Sequence, residues 1–343
     1  MHEPLSILQR LCETYEEVDL LEKTEETESS ILRMAYVMGF AYSGYAPMVL
    51  RVKKPFDSLL GETYEFTSPS KKKFRYYAEH VSYNPSIIAT FCDSQSFKAW
   101  SNINLKSSFC GKYLEYRPIG VSHIFLNKSR DHYIWTRPVT NIENIIGGNV
   151  YVENYGDMNF TNLTTHETGV LSLNKSDPNN KNEHSKNNAM GYIKNSKGKI
   201  VYNIIGRLDR FLKIVEIETQ KQIFIWEYKK EVELLSQNQY FFDDFALQLN
   251  YLNKNLLQSI ASTDSRLRPD VRALEYLDYK VCHSEKKRLE EKEKKLKHEL
   301  EENNEIWKPK WFVSETDEVT KLKSFVFLED ALKTDKENYI DIF

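Results

Sequence analysis

Phe74-Arg75-Tyr76-Tyr77-Ala78-Glu79-His80-Val81-Ser82-Tyr83-Asn84-Pro85-Ser86-Ile87-Ile88-Ala89-Thr90-Phe91 decides the fold. Its ends, 74–78 and 86–91, are short and rich in aromatic and β-branched residues, which suit a pleated, half-buried surface. Between them, Tyr83 and Asn84 shape a turn before Pro85, because Asn and Pro both favour turn geometry. These residues read as strand, turn, strand. Seven similar segments follow, at 113–116, 121–126, 132–135, 149–152, 169–173, 200–205 and 223–228. No helical pattern separates them, so the spacing predicts an antiparallel meander that closes on itself between residues 50 and 235. Aromatic residues make up 13% of the chain, which suits a large barrel with an apolar interior able to enclose a ligand.

Outside the strands the period changes. Leu5, Leu8 and Leu11-Cys12, then Ile31, Ala35, Met38 and Tyr42, recur at helical spacing, so residues 3–45 are expected to be helical. The acidic patch at 22–28 reads as a solvated helix end or loop. Helix returns at 244, where Ala246, Leu249, Leu252 and Leu256 form one apolar stripe. Residues 284–302 are dense in Lys and Glu, with Leu289, Leu296 and Leu300 as the apolar exceptions. Glu–Lys pairs four apart would support such an exposed helix. Residues 174–188 are polar and of low complexity, and read as a surface loop. Trp307, Trp311 and Phe312 lie in a tail that closes with a strand or short helix. The fold class is therefore mainly β (α+β), one domain over 1–343. It divides into N-terminal helices at 1–48, a barrel at 49–235, and a C-terminal helical region with its tail at 236–343.

Composition excludes several functions. The chain has 343 residues and a net charge of −3, without the basic excess of a general nucleic-acid binder. Cys12, Cys92, Cys110 and Cys282 lie far apart and read as reduced thiols, not as a zinc site or a disulfide frame. No run of about 18 apolar residues could span a membrane, and no cleavable signal pattern opens the chain. His166-Glu167 lacks the second His of a zinc helix, and neither a nucleophile elbow nor a phosphate-binding glycine loop occurs. No catalytic constellation, metal site or cofactor is expected.

Glu79-His80-Val81-Ser82-Tyr83-Asn84-Pro85-Ser86 resembles the Glu-Gln-Val-Ser-His-His-Pro-Pro signature of the oxysterol-binding-protein-related lipid transfer family. Glu3-Pro4-Leu5-Ser6-Ile7-Leu8, Lys54-Pro55-Phe56-Asp57-Ser58-Leu59-Leu60-Gly61-Glu62-Thr63-Tyr64-Glu65, Asn144-Ile145-Ile146-Gly147-Gly148, Asn154-Tyr155-Gly156-Asp157 and Thr263-Asp264-Ser265-Arg266-Leu267-Arg268-Pro269-Asp270 resemble its other motifs, in the family's order. The resemblance implies a large incomplete barrel with helices at both ends. It also implies non-catalytic binding of a membrane lipid, sterol-like or phospholipid, with transfer between cytosolic leaflets. Contact with membranes would be transient and peripheral, the location cytoplasmic, and protein partners are not indicated. A lipid sensor or scaffold without transfer is the alternative, and a lipid-acting enzyme a remote one. The family's lid precedes the Glu3–Ser6 segment and its pleckstrin-homology domain lies outside it, so both are expected to be missing here. Phe241-Phe242-Asp243-Asp244-Phe245 resembles a tethering motif, but it also matches the family's strand-to-helix segment and is expected to be core.

The resemblance also places a lipid-headgroup site. Its lysine and asparagine fall on Lys54 and Asp57, its histidine pair on Tyr83 and Asn84, and its helical Lys, Glu and Arg on Lys286, Glu290 and Lys294. A phosphate monoester carries about −1.5 to −2 charges near pH 7. Tyr83 and Asn84 donate hydrogen bonds but carry no charge. Asp57 replaces a neutral amide, and Lys294 replaces an arginine without its forked geometry. Three lysines against two acids leave about one net positive charge, too little for a strong dianion site. Weakened binding of phosphatidylinositol 4-phosphate is expected.

Overall fold

The computed structural model describes residues 2–69, 74–175, 187–230, 235–236, 238–333 and 339–343. The polar loop expected at 174–188 lies mostly outside them. The founding hairpin is present: β4 (Phe74–Tyr83) pairs antiparallel with β5 (Ser86–Ser94), with Ala78 opposite Thr90 and Tyr83 opposite Ser86. The Asn84–Pro85 peptide at its turn is cis.

Around this hairpin the chain builds a 14-stranded antiparallel sheet. It starts with β3 (Thr63–Thr67), passes through β4 and β5, and reaches the long β6 (Phe97–Phe109). Beyond β6 the wall forks. One end of β6 pairs with β7 (Leu114–Ile119), which pairs with β10 (Val139–Glu143). The other end pairs with β8 (Val121–Leu126), which pairs with β9 (His132–Thr136). Both branches rejoin on β11 (Tyr151–Asn162). The wall then continues through β12 (Thr168–Leu173), β13 (Asn188–Lys194), β14 (Ile200–Arg207), β15 (Phe211–Glu216) and β16 (Gln222–Glu227). Contrary to the expected closed meander, β16 and β3 do not pair. The outer edge of β3 carries instead an isolated bridge from Thr63 to Asp264.

The gap is occupied by helices. α1 (Ile7–Cys12), α2 (Asp19–Glu26) and α3 (Ser30–Ser43) follow the first strand. The N-terminal helix was expected to begin near residue 3, but His2–Ser6 form β1, a strand parallel to β2 (Lys54–Phe56). Helix begins only where Ser6 and Gln9 make a reciprocal capping box. α3 is buried over most of its length and packs against β16, β13 and β12. At Gly39 an added Cβ would lie 2.5 Å from Ile225 Cγ2, so only glycine permits this approach. α3 therefore fills one half of the barrel and leaves the other half hollow.

Two motif carboxylates turn out to be braces. Glu62 accepts hydrogen bonds from Ser6, Leu59 N (2.9 Å), Ser265 Oγ (2.6 Å) and Arg268 Nη1 (2.7 Å), joining β1, β3 and the 263–270 segment. Glu79 accepts from the backbone N–H groups of Lys310 (2.7 Å) and Trp311 (2.8 Å). Burial pushes its carboxyl up to about 7, against the opposing pull of those donors.

The C-terminal region begins with α4 (Asp244–Leu249), α5 (Lys254–Ser259) and α6 (Pro269–Glu275). Phe242 is buried and Phe245 packs half-buried against the core, while Asp243 caps α4 through Ala246 N at 2.8 Å and pairs with Lys230. Asp244 is exposed, so the Phe-Phe-Asp-Asp-Phe run is core only in part. α7 (Tyr279–Glu302) buries Leu289 and Leu300, and its exposed faces carry the expected Lys–Glu pairs, such as Lys295–Glu299 at 3.7 Å. A hairpin of β17 (Phe312–Thr316) and β18 (Lys323–Phe327) packs against β5, with Phe91 and Phe327 stacked at 4.6 Å.

Candidate functional site

The hollow half of the barrel is an apolar cavity of about 250 Å³. α1 and α3 supply Leu11 and Phe40, and the sheet supplies Ser101, Ile103 and Trp135. The alternation of β6 produces this wall: Phe97, Ala99, Ser101 and Ile103 are buried, one residue in two. At one end the lining reaches solvent, where Lys54, Asp57, Leu105 and Tyr116 form a mouth. Beyond it the turns after β6 and β10 lie together, with Ile145 N donating to Lys112 O at 3.3 Å. They present Phe109 (63% exposed) and Ile146 (72% exposed) to solvent.

The charges at the mouth are paired. Lys54 Nζ lies 2.7 Å from Asp57 Oδ2. Burial is the largest single influence and lowers the lysine pKa, but the bond and charge of Asp57 together with Tyr116 exceed it, and the net shift is upward. Lys286 pairs with Glu290 one turn along α7. His2, tilted against Phe56 with ring centres 4.7 Å apart, lies within the field of both lysines. Burial, reinforced by Lys286 and Lys54, brings its imidazole down to about 4, so it is neutral at pH 7 and adds no cation to the mouth.

Lys54, Asp57, Lys286 and Glu290 are therefore close together. Tyr83 lies against the later turns of α7. It packs against Leu60, Leu296, Leu300 and Trp307, with Lys297 Nζ 5.9 Å from its ring centre. Leu296 is ten residues beyond Lys286 on α7, about 15 Å along a helix axis. Asn84 is exposed at the β4–β5 turn, and Lys294 is exposed on α7. Residues four apart drift about 40° around a helix at each step, so Lys294 lies about 80° around the axis from Lys286. Of the seven predicted residues, Lys54 and Asp57 line the cavity.

Sequence reasoning missed the opposite end. Arg137 follows β9 and continues the inward phase of Tyr133 and Trp135. Its Nη2 donates to Ser101 Oγ at 2.9 Å, and Ser101 Oγ also bonds Thr90 Oγ1 at 2.9 Å. Arg137 Nη1 and Ser122 Oγ are buried and have no hydrogen-bond partner. The available signal was phase, since an arginine stood where alternation demanded an inward side chain.

Among the described residues no group of three His, Cys, Asp or Glu side chains could hold a metal ion. Cys12 and Cys92 are buried thiols whose pKa values burial pushes well up, so they are poor nucleophiles. No helix among the described residues is long and apolar enough to cross a membrane.

The sequence profile of the family described as Oxysterol-binding protein matches residues 1–338. Human oxysterol-binding protein-related protein 6 is 36% identical over 313 residues, covering 91% of this chain and 33% of the relative. Oxysterol-binding protein-related protein 1B of Arabidopsis thaliana is 33% identical over 320 residues, covering 92% of this chain and 63% of the relative. The chain thus spans about a third of the human relative and under two thirds of the plant one. The crystal structure of the Osh1 ORD domain in complex with ergosterol superposes with a TM-score of 0.86 at 28% identity, covering 97% of this chain and 82% of the other. The Osh3 ORD of Saccharomyces cerevisiae, in complex with PI(4)P, gives 0.83 at 23% identity, covering 100% of this chain and 89% of the other, a likeness of fold.

Proposed function

The chain belongs to the oxysterol-binding protein family, and from that premise we propose that it binds one membrane lipid and transfers it between cytosolic leaflets without chemistry. The observation that carries this reading is the apolar cavity, lined by helix on one side and strand on the other and reaching solvent at a charged mouth. Exposing a lipid tail to water costs about 0.8 kcal/mol per CH₂. A carrier that shields the tail removes that cost during transit, so exchange accelerates with no covalent step. The cargo is a sterol-like molecule or a phospholipid, and the chain works in the cytoplasm with transient contact at membranes.

The headgroup site reads as a weak binder of phosphatidylinositol 4-phosphate. Tyr83 and Asn84 bring no charge, and Lys54 and Lys286 are already engaged by Asp57 and Glu290. The test is exchange of a fluorescent sterol and a fluorescent phospholipid between liposomes, with native mass spectrometry of co-purifying lipid. Accelerated exchange of either lipid supports a carrier. Binding without acceleration supports a sensor or scaffold instead.

A further inference from the structure

The deep end of the cavity holds a charge that nothing among the described residues compensates. Arg137 lies where the wall forks, between β9 and β10, and lines the cavity with Ser101, Ser122 and Trp135. Its one hydrogen bond to a described residue goes to the neutral hydroxyl of Ser101 (2.9 Å), and Nη1 has none. The groups within its electrostatic reach are the phenols of Tyr45, Tyr15 and Tyr76 and the imidazole of His123, which burial keeps neutral at pH 7. Burial raises the pKa of each phenol, Tyr45 to about 12 and the other two well above their ordinary value, so all three are neutral. Burial pulls the pKa of Arg137 itself down, as expected for a cation without a counter-ion. Ser122 Oγ, a second buried polar atom without a partner, lines the same space.

Contrast shows how unusual this is within the chain. The other deeply buried arginines are paired: Arg51 with Glu3 and Glu13, Arg266 with Asp264, and Arg268 with Glu62 and Asp270. A buried unpaired charge destabilises a fold strongly. A guanidinium beside a free hydroxyl in a cavity is a preformed site for an oxyanion, which it can hold by charge-assisted, forked hydrogen bonds.

We propose that Arg137, with Ser101 and Ser122, forms an oxyanion subsite at the blind end of the cavity, so that the preferred cargo is an amphiphile that enters acid-first, with a carboxylate or sulfate at the buried end of an apolar body. This rests on the carrier reading and adds the chemical class of the cargo. A neutral lipid would leave the guanidinium uncompensated. The acidic group is distinct from the headgroup at the mouth, where the lysines are already paired.

The experiment uses two matched pairs of probes, cholesterol 3-sulfate against cholesterol and oleate against oleyl alcohol. Affinities are measured by competition with the same fluorescent lipid on the full chain. The wild type should prefer the acid at least tenfold in one pair or both, and the pair that responds tells sulfate from carboxylate. Arg137→Met removes the charge at similar length and should abolish the preference. Its ligand-free form should also melt higher than the wild type, because an uncompensated buried cation has gone. Arg137→Gln retains a donor for Ser101 without the charge and should lose the same preference, which keeps the test decisive if the Met variant fails to fold. Equal affinity within both pairs in the wild type, or a preference that survives loss of the charge, overturns the subsite and leaves the carrier intact. Wild-type protein that binds none of the four probes, nor any fluorescent lipid, overturns both.

Discussion

Lys54 Nζ sits 2.7 Å from Asp57 Oδ2, so a lysine of the predicted headgroup site is neutralised by the acid three residues along. Lys286 and Glu290 repeat this on α7. An arriving phosphate would have to displace a carboxylate from each lysine. Asp57→Asn combined with Tyr83→His and Asn84→His should free Lys54 and add two donors able to carry charge. Affinity for phosphatidylinositol 4-phosphate should rise by about 1–3 kcal/mol, roughly 5- to 150-fold. Adding Lys54→Ala should cancel the gain. Competition of a fluorescent lipid is the measurement, and a triple variant no tighter than wild type refutes the charge argument. Because Tyr83 packs on Leu296 and Trp307, Asp57→Asn alone is the cleaner first step and should give part of the rise.

The turns bearing Phe109 and Ile146 lie beside the mouth and expose apolar surface to water. Burying a side chain of this size gains about 1.5–3 kcal/mol. Phe109→Ser with Ile146→Ser should weaken liposome pelleting by roughly tenfold or more and slow exchange, while leaving the melting temperature within a few degrees. Binding should be weak in the wild type and fall with salt, since the chain carries a net charge of −3 and depends on local lysines. Tight, salt-insensitive binding to neutral liposomes would contradict this.

Glu62 joins three parts of the chain that are distant in sequence, accepting from Ser6, Ser265 and Arg268. Glu62→Ala would leave four donors, Leu59 N among them, short of an acceptor and weaken the compensation of buried Arg268. A loss of about 3–5 kcal/mol is expected in urea unfolding. The near-isosteric Glu62→Gln should cost less, because its carbonyl can still accept. A loss under 1 kcal/mol for Glu62→Ala would mean the network is not the brace described above.

Much of the fold was legible because its signals are local. Residues 121–126 and 132–135 show β-branched and aromatic alternation and appear as β8 and β9 within a residue. The longest strand, β6, was missed because Lys98, Ser101, Asn102 and Asn104 dilute its pattern, and only the buried Phe97, Ala99 and Ile103 reveal the phase. β1 was hidden for another reason: a strand of five residues running into a helix shares its one leucine, Leu5, with the helical period. At the site, the spacing of Lys286, Glu290 and Lys294 located a helix but not its rotation, which buried Leu289 and Leu300 set. Arg137 carries no motif, and its significance depends on long-range packing that leaves no carboxylate nearby.

Glu79 and His123 should tilt stability against pH in opposite directions. Burial raises the Glu79 carboxyl from an ordinary value of 4.5 to about 7. The folded state therefore holds the proton more tightly than the unfolded chain does. Stability from this group is full below pH 4.5, declines between 4.5 and 7, and stays reduced above. His123, buried and bonded to His132 at 3.1 Å and to Asp317 at 3.3 Å, is lowered from 6.5 to about 4, chiefly by desolvation. Here the unfolded state binds the proton more tightly, so stability is full above pH 6.5 and is lost as pH falls toward 4. Glu79→Gln removes the titrating carboxyl and keeps one acceptor for the N–H groups of Lys310 and Trp311. Relative to wild type, its stability should improve as pH rises from 4.5 to 7 and then run parallel. His123→Phe keeps the ring stacked on Trp100, whose centre lies 4.8 Å away, and should instead gain on wild type as pH falls from 6.5 toward 4. Urea midpoints at half-unit steps from pH 4 to 8 separate the two. Difference curves with the signs exchanged, or flat across both windows, would show that these groups do not carry the pH dependence.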